Sequence, residues 1–148
     1  MMGGGEGNHK GCLYFVVEPE GAGSPAPSAS TASPGVIVFD TWLGDDVVRA
    51  YPAILITTPV RDALKRLGRV TGFTIVRART RRSAFFLKHS PSRLLPVFWQ
   101  VDIQGMAGRD DMGLGPAGAL VVSRRMLDTF CDFHMPRATF AQYQDPAA

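Results

Sequence analysis

A chain of 148 residues is long enough to bury one real core without disulfides or metals, so a single domain is the default. With 45% hydrophobic and 20% charged residues the composition excludes disorder throughout, and a formal charge of +3 is too slight to choose a nucleic acid over a protein as partner. Cys12 and Cys131 sit at opposite ends without CxxC or Cys/His spacing, which excludes a sequence-defined zinc site or disulfide framework and predicts buried, reduced thiols.

The first stretch, 1–11 (MMGGGEGNHKG), shows no apolar periodicity and is expected to be a disordered tail ahead of a single α+β domain over 12–148. Cys12 to Val17 is aromatic and β-branched, which predicts a buried strand ending at Glu18-Pro19. That run is shorter than a signal-peptide core and far shorter than a membrane span, so a cytoplasmic protein without membrane association is expected. Glu20 to Pro34 (EGAGSPAPSASTASP) offers too little apolar surface to offset its ordering entropy and predicts a flexible loop over 20–35. Strand character resumes at Val36 to Phe39. The turn-like segment Asp40 to Asp46 places Asp45 or Asp46 to cap a short helix over Val47 to Ala50.

An internal repeat follows. Ala53 to Ile56 is an apolar run, Thr57 or Thr58 is a helix N-cap, Pro59 suits the first turn, and Val60, Leu64 and Leu67 recur at helical spacing until Gly68. A strand is then expected over Gly72 to Val76. Ala119 to Val122, Ser123, Met126, Phe130 and Phe133 repeat the pattern, with Ala138 to Ala141 as the closing strand. The fold class predicted is α+β: a mixed or antiparallel β-sheet carrying two main helices from a repeated strand-helix-strand unit. Between the units lie basic Arg77 to Arg82, apolar Ala84 to Leu87, a Ser/Pro turn at Ser90 to Ser92, a strand over Pro96 to Val101 and the glycine-dense loop Gly105 to Pro116.

The loop's GMAGRDDMGLG lacks the GxxxxGK[ST] spacing of a phosphate cradle, so its glycines are read as turn formers, with Asp110 and Asp111 in Asx turns or paired with Arg109. Asp45-Asp46 and Asp110-Asp111 would make an acid/base or divalent-metal pair only if they converged, and no spacing requires that. Neither Ser90 nor Ser123 stands in a GxSxG beside His89 or His134, and Cys131 with His134 reads as a thiol next to a helix-terminal histidine. No catalytic residue, cofactor or metal is assigned. Arg77, Arg79, Arg81 and Arg82 form a basic patch that suits phosphates, with Phe85, Phe86 or Trp99 to stack on bases, and suits an acidic protein equally. Trp42 and Trp99 read as core-edge aromatics near the Asp-rich turns.

YFVVEPE, then FDTWLGDDVVRAYPAILITTPVRDALKRLGRVTGF, then LPVFWQVDIQGMAGRDDMGLGPAGALVVSRRMLDTF resemble, in that order, bacterial proteins of the immunity-protein-eleven type found around polymorphic toxin systems. The resemblance runs from about Leu13 to Tyr143 and is most specific at the Trp42 to Asp46 turn and the Gly105 to Leu120 loop. It implies a non-catalytic cytosolic protein that binds and neutralises a cognate toxin. The paired CxxCG motifs of related groups are missing here, so no metal role carries over. On this reading the interface includes Trp42, Asp45, Asp46, Trp99, Arg109, Asp110 and Asp111. Two alternatives stand beside it: a small enzyme or cyclase-like protein whose carboxylates flank a pocket formed by Phe98, Trp99 and the glycine loop, and an RNA-binding module using the arginine run.

Overall fold

In a computed structural model of the protein, residues 13–26 and 35–144 are described, so the expected tail and the centre of the 20–35 loop lie outside them. The chain opens with β1 (Tyr14–Glu18), β2 (Glu20–Gly21), β3 (Gly23–Pro25) and β4 (Val36–Phe39). It continues with β5 (Val47–Ala50), β6 (Ala53–Thr57), α1 (Thr58–Arg66), β7 (Phe73–Arg77), β8 (Arg79–Arg82) and α2 (Ala84–His89). Last come β9 (Phe98–Ile103), β10 (Met112–Leu114), β11 (Leu120–Ser123), α3 (Arg124–Cys131) and β12 (Thr139–Gln142). The class is α+β as expected, with the strands divided among three sheets: β2-β5-β6-β9-β7, β10-β11-β1-β12 and β3-β4-β8. No helix among the described residues is long and apolar enough to cross a membrane.

The sequence repeat is larger in space than in the periodicity that reveals it. Each unit is a hairpin followed by a helix and an outer strand: β5-β6-α1-β7 and β10-β11-α3-β12. Each sheet then takes in a strand that lies ahead of the other unit in the chain. β9 lies antiparallel between β6 and β7, with Trp99 opposite Ile56 on one side and Arg77 on the other. β1 lies antiparallel between β11 and β12, with Phe15 opposite Val122 and Gln142. Phe15 therefore stands in the second unit where Trp99 stands in the first, and the two halves exchange strands.

Packing explains the exchange. Val60 and Leu64 of α1 and Met126 and Phe130 of α3 are at most 1% exposed, and with Val17, Ile54, Ile56, Val101, Leu120 and Val122 they form one core shared by both units. Each such side chain contributes about 1.5–3 kcal/mol on burial, so neither amphipathic helix keeps its apolar stripe dry without the other unit. The helices do not lie on one common sheet. α1 meets β6 and β9, α3 meets β11 and β1, and they touch each other between.

A second core lies on the far side of the five-stranded sheet, where Val48, Ala50, Ala53, Leu55 and Phe98 meet Ile37, Phe39 and Phe86. This corrects the short helix expected over Val47 to Ala50. All four residues are buried in a strand, Val47 toward the first core and Val48 and Ala50 toward the second. β-branched residues at a doubly covered position satisfy both faces only when extended. The described start of the 20–35 segment is strand rather than loop. Glu20–Gly21 pairs parallel with β5, and Gly23–Pro25 pairs antiparallel with β4. At Gly23 an added Cβ would lie 1.9 Å from the Val38 carbonyl oxygen, so the glycine permits a backbone contact that a larger side chain forbids. Cys131 is exposed rather than buried, because Met126, Thr129 and Phe130 occupy the inner stripe of α3.

Candidate functional site

The four aspartates singled out by sequence each serve the frame, and they do not gather. Asp46 and Asp111 immediately precede the two hairpins and occupy matching positions. The Asp46 carboxylate accepts from the Thr57 hydroxyl at 2.9 Å, at the start of its own helix, and from the His134 N–H at 2.9 Å, just past the other helix. Asp111 accepts from the Ser123 hydroxyl at 2.8 Å, at the start of α3, and from the Thr71 N–H at 3.0 Å, past α1. The main chain reinforces both clasps, since Thr57 N donates to Asp46 O at 3.0 Å and Ser123 N to Asp111 O at 2.9 Å. Each carboxylate thus ties the entry of one helix to the exit of the other.

The second clasp carries an extra charge. Arg125 grips both Asp111 oxygens at 3.1 Å and also donates to the Arg69 carbonyl. Burial pushes the Asp111 carboxyl up, but the Arg125 guanidinium, the Ser123 hydroxyl and the Thr71 N–H outweigh it and hold the group below its ordinary value. Asp45, wholly buried, is paired with the Arg137 guanidinium at 2.7 Å, while its carbonyl accepts from the Trp42 indole at 2.8 Å. Asp110 closes a turn by accepting from Met106 N at 2.8 Å, and Arg109 is exposed with its carbonyl bonded by the Tyr14 hydroxyl at 3.0 Å. Trp99 donates to the Thr58 hydroxyl at 2.9 Å and lies under Arg61, 4.0 Å from the ring centre.

These facts bear on the enzyme alternative. Among the described residues no three His, Cys, Asp or Glu side chains come close enough to hold a metal ion. Phe98 and Trp99 are neighbours on a strand and face the second and first cores respectively, so they do not wall one pocket. A cleft of about 310 Å³ brings Gln100 and Asp102 beside Pro25, Ile37, Pro52 and Leu114, and among the described residues Asp102 is its one carboxylate, with no partner acid or base.

The basic segment is different, because its charges face outward. Arg79 and Arg81 on β8 are exposed and have no ion-pair partner among the described residues. Arg82 turns inward and donates to the carbonyls of Pro91 at 3.5 Å and Arg93 at 3.1 Å, fixing the loop after α2. Ser83 caps α2 by accepting from Phe86 N at 3.1 Å, and Phe86 drops into the second core. That placement leaves α2's other apolar residues outside. Val76, Phe85, Leu87, Leu94 and Val97 are 42–72% exposed, five of the eleven large exposed apolar residues described, and all lie in this one stretch. A cleft of about 350 Å³ separates Arg77–Thr80 from Leu95–Phe98.

Sequence reading named Arg77, Arg79, Arg81 and Arg82 but left out Leu94, placed Val97 inside a strand that in fact begins at Phe98, and left out Arg125, Arg137 and Thr71 as partners of the aspartates. The Asp46 and Asp111 roles had a signal: both stand at nearly the same distance before the repeated Thr57 and Ser123. The chain matches no family model, no curated protein and no solved structure. The immunity-type resemblance therefore rests on the quoted residues alone.

Proposed function

We propose that the chain is a non-catalytic cytoplasmic binding protein of the immunity type, which neutralises a partner toxin by holding an acidic surface of it against β7, β8 and the α2 segment. The observation that carries this reading is the interleaving of outward arginines with exposed aliphatic side chains between Val76 and Val97. Apolar patches rimmed by charge are the usual mark of a protein interface. The carboxylates that would have supported catalysis are consumed by Thr57, Ser123, Arg125 and Arg137.

RNA binding draws on the same arginines but gains less from this surface. Rings offered for stacking already carry a neighbour: Arg61 over Trp99 at 4.0 Å, Arg93 over Trp42 at 5.9 Å, and His89 on Phe85 at 4.1 Å. Leu87, Leu94 and Val97 have no role toward bases. Co-expression of the full chain with the product of the adjacent gene tests the proposal. A stable complex with rescue from toxicity is expected; absence of both removes the immunity reading, and salt-sensitive retention on RNA in their place transfers the surface to nucleic acid.

A further inference from the structure

The chain around Ala78 changes sheets, and the change opens a gap. β7 pairs antiparallel with β9 as far as Arg77 opposite Trp99, and Ala78 N still reaches Phe98 O at 3.0 Å. Beyond that bond β8 swings away to pair parallel with β4, while Leu95 to Val97 on the opposing side belongs to no strand. The cleft of about 350 Å³ lies between the diverging segments; Ala78 and Phe98 are its buried members, and Arg77, Arg79 and Val97 its exposed ones. β8 is also an outer strand of its three-stranded sheet. An outer strand leaves a row of N–H and C=O groups without a ladder partner, a template on which another strand can form.

The side chains select what can form there. Arg79 and Arg81 project from β8 into solvent, so a second copy of β8 would bring arginines against arginines, and like charges opposed across strands are unfavourable. An acidic strand meets the opposite situation. We infer that the free edge of β8, with the adjoining cleft, docks an extended acidic segment of the partner protein as an added strand. Acidic side chains at alternate positions meet Arg79 and Arg81, and an apolar residue enters the cleft beside Val97. The inference rests on the protein-binding reading above and specifies its mode.

The test uses the full chain and fluorescence anisotropy with a short labelled peptide of alternating Glu and Val. The same peptide N-methylated on one or the other alternate set and an alternating Lys and Val peptide serve as controls. Expected are binding of the Glu-Val peptide, loss of binding on methylating one alternate set but not the other, no binding of the Lys-Val peptide, and weakening by roughly tenfold or more in Arg79→Glu with Arg81→Glu. Arg79→Gln with Arg81→Gln should fall between, and Lys65→Glu with Arg66→Glu on α1 should bind as the parent does. Failure of the Glu-Val peptide to bind, equal binding of both methylated forms, or tighter binding of oligouridylate lost in the same variant overturns the inference. If the complex with the adjacent gene's product forms and is indifferent to Arg79→Glu with Arg81→Glu, this docking mode fails and the protein-binding reading stands; if no complex forms, that reading fails with it.

Discussion

In the first hairpin-helix unit the far side of the sheet is packed by β4 and α2; in the second the glycine loop folds back against β10. At Gly113 an added Cβ would lie 2.4 Å from Ala107 N, and Gly108 packs on the Tyr143 ring. The frame is thus common to both units, with its shared core, its paired clasps and its exchanged strands. β8, α2 and the 90–97 segment, which carry most of the arginines and exposed aliphatics of the proposed surface, lie between the two units and back the sheet of the first. What differs between the halves is where the proposed binding surface lies, and what they share is what holds the chain together.

The largest effects should fall on the shared core and be alike in both halves. Phe130→Ala and Leu64→Ala should each cost about 3–5 kcal/mol by urea unfolding, in a single transition. A variant that melts one unit and spares the other would break the comparison. Arg137→Met should cost about 3 kcal/mol, because it strands the buried Asp45 carboxylate without a counter-charge, and the same unfolding titration reads it.

Asp111 has its folded pKa held down, so its contribution is present above the ordinary aspartate range and disappears as pH falls through the depressed folded value. Asp111→Asn should therefore cost about 1 kcal/mol at neutral pH, a figure reduced for solvent screening, and its difference from the parent should vanish in acid. A pH-independent gap would show that the charge is idle. The smallest effect belongs to the binding face: Arg79→Glu with Arg81→Glu should shift stability by no more than about 0.5 kcal/mol in thermal melts, since neither side chain supports the frame.

Val60, Leu64, Met126 and Phe130 were legible because helical spacing is a local signal, and so were the strands at Tyr14 and Phe98. The exchange of β1 and β9 was not, since any antiparallel partner with a matching apolar face satisfies the same pattern. Val47 to Ala50 is too short for its period to show, and only coverage on both faces makes it a strand. The aspartates were visible as residues but not as roles: Arg137 lies 92 positions from Asp45 and His134 lies 88 from Asp46, so their pairing is a product of topology. The arginine run was visible as charge, whereas the aliphatics beside it gained meaning only once Phe86 had taken the buried position on α2.

Hydrogen exchange of the full chain with and without its partner tests the division between frame and surface most directly. The account predicts new protection over 77–82 and 95–98, with the clasp residues Asp46 and Asp111 and their turns unchanged. Protection confined to the turns around Trp42 to Asp46 and Arg109 to Asp111, with the β8 edge still exchanging freely, would contradict it.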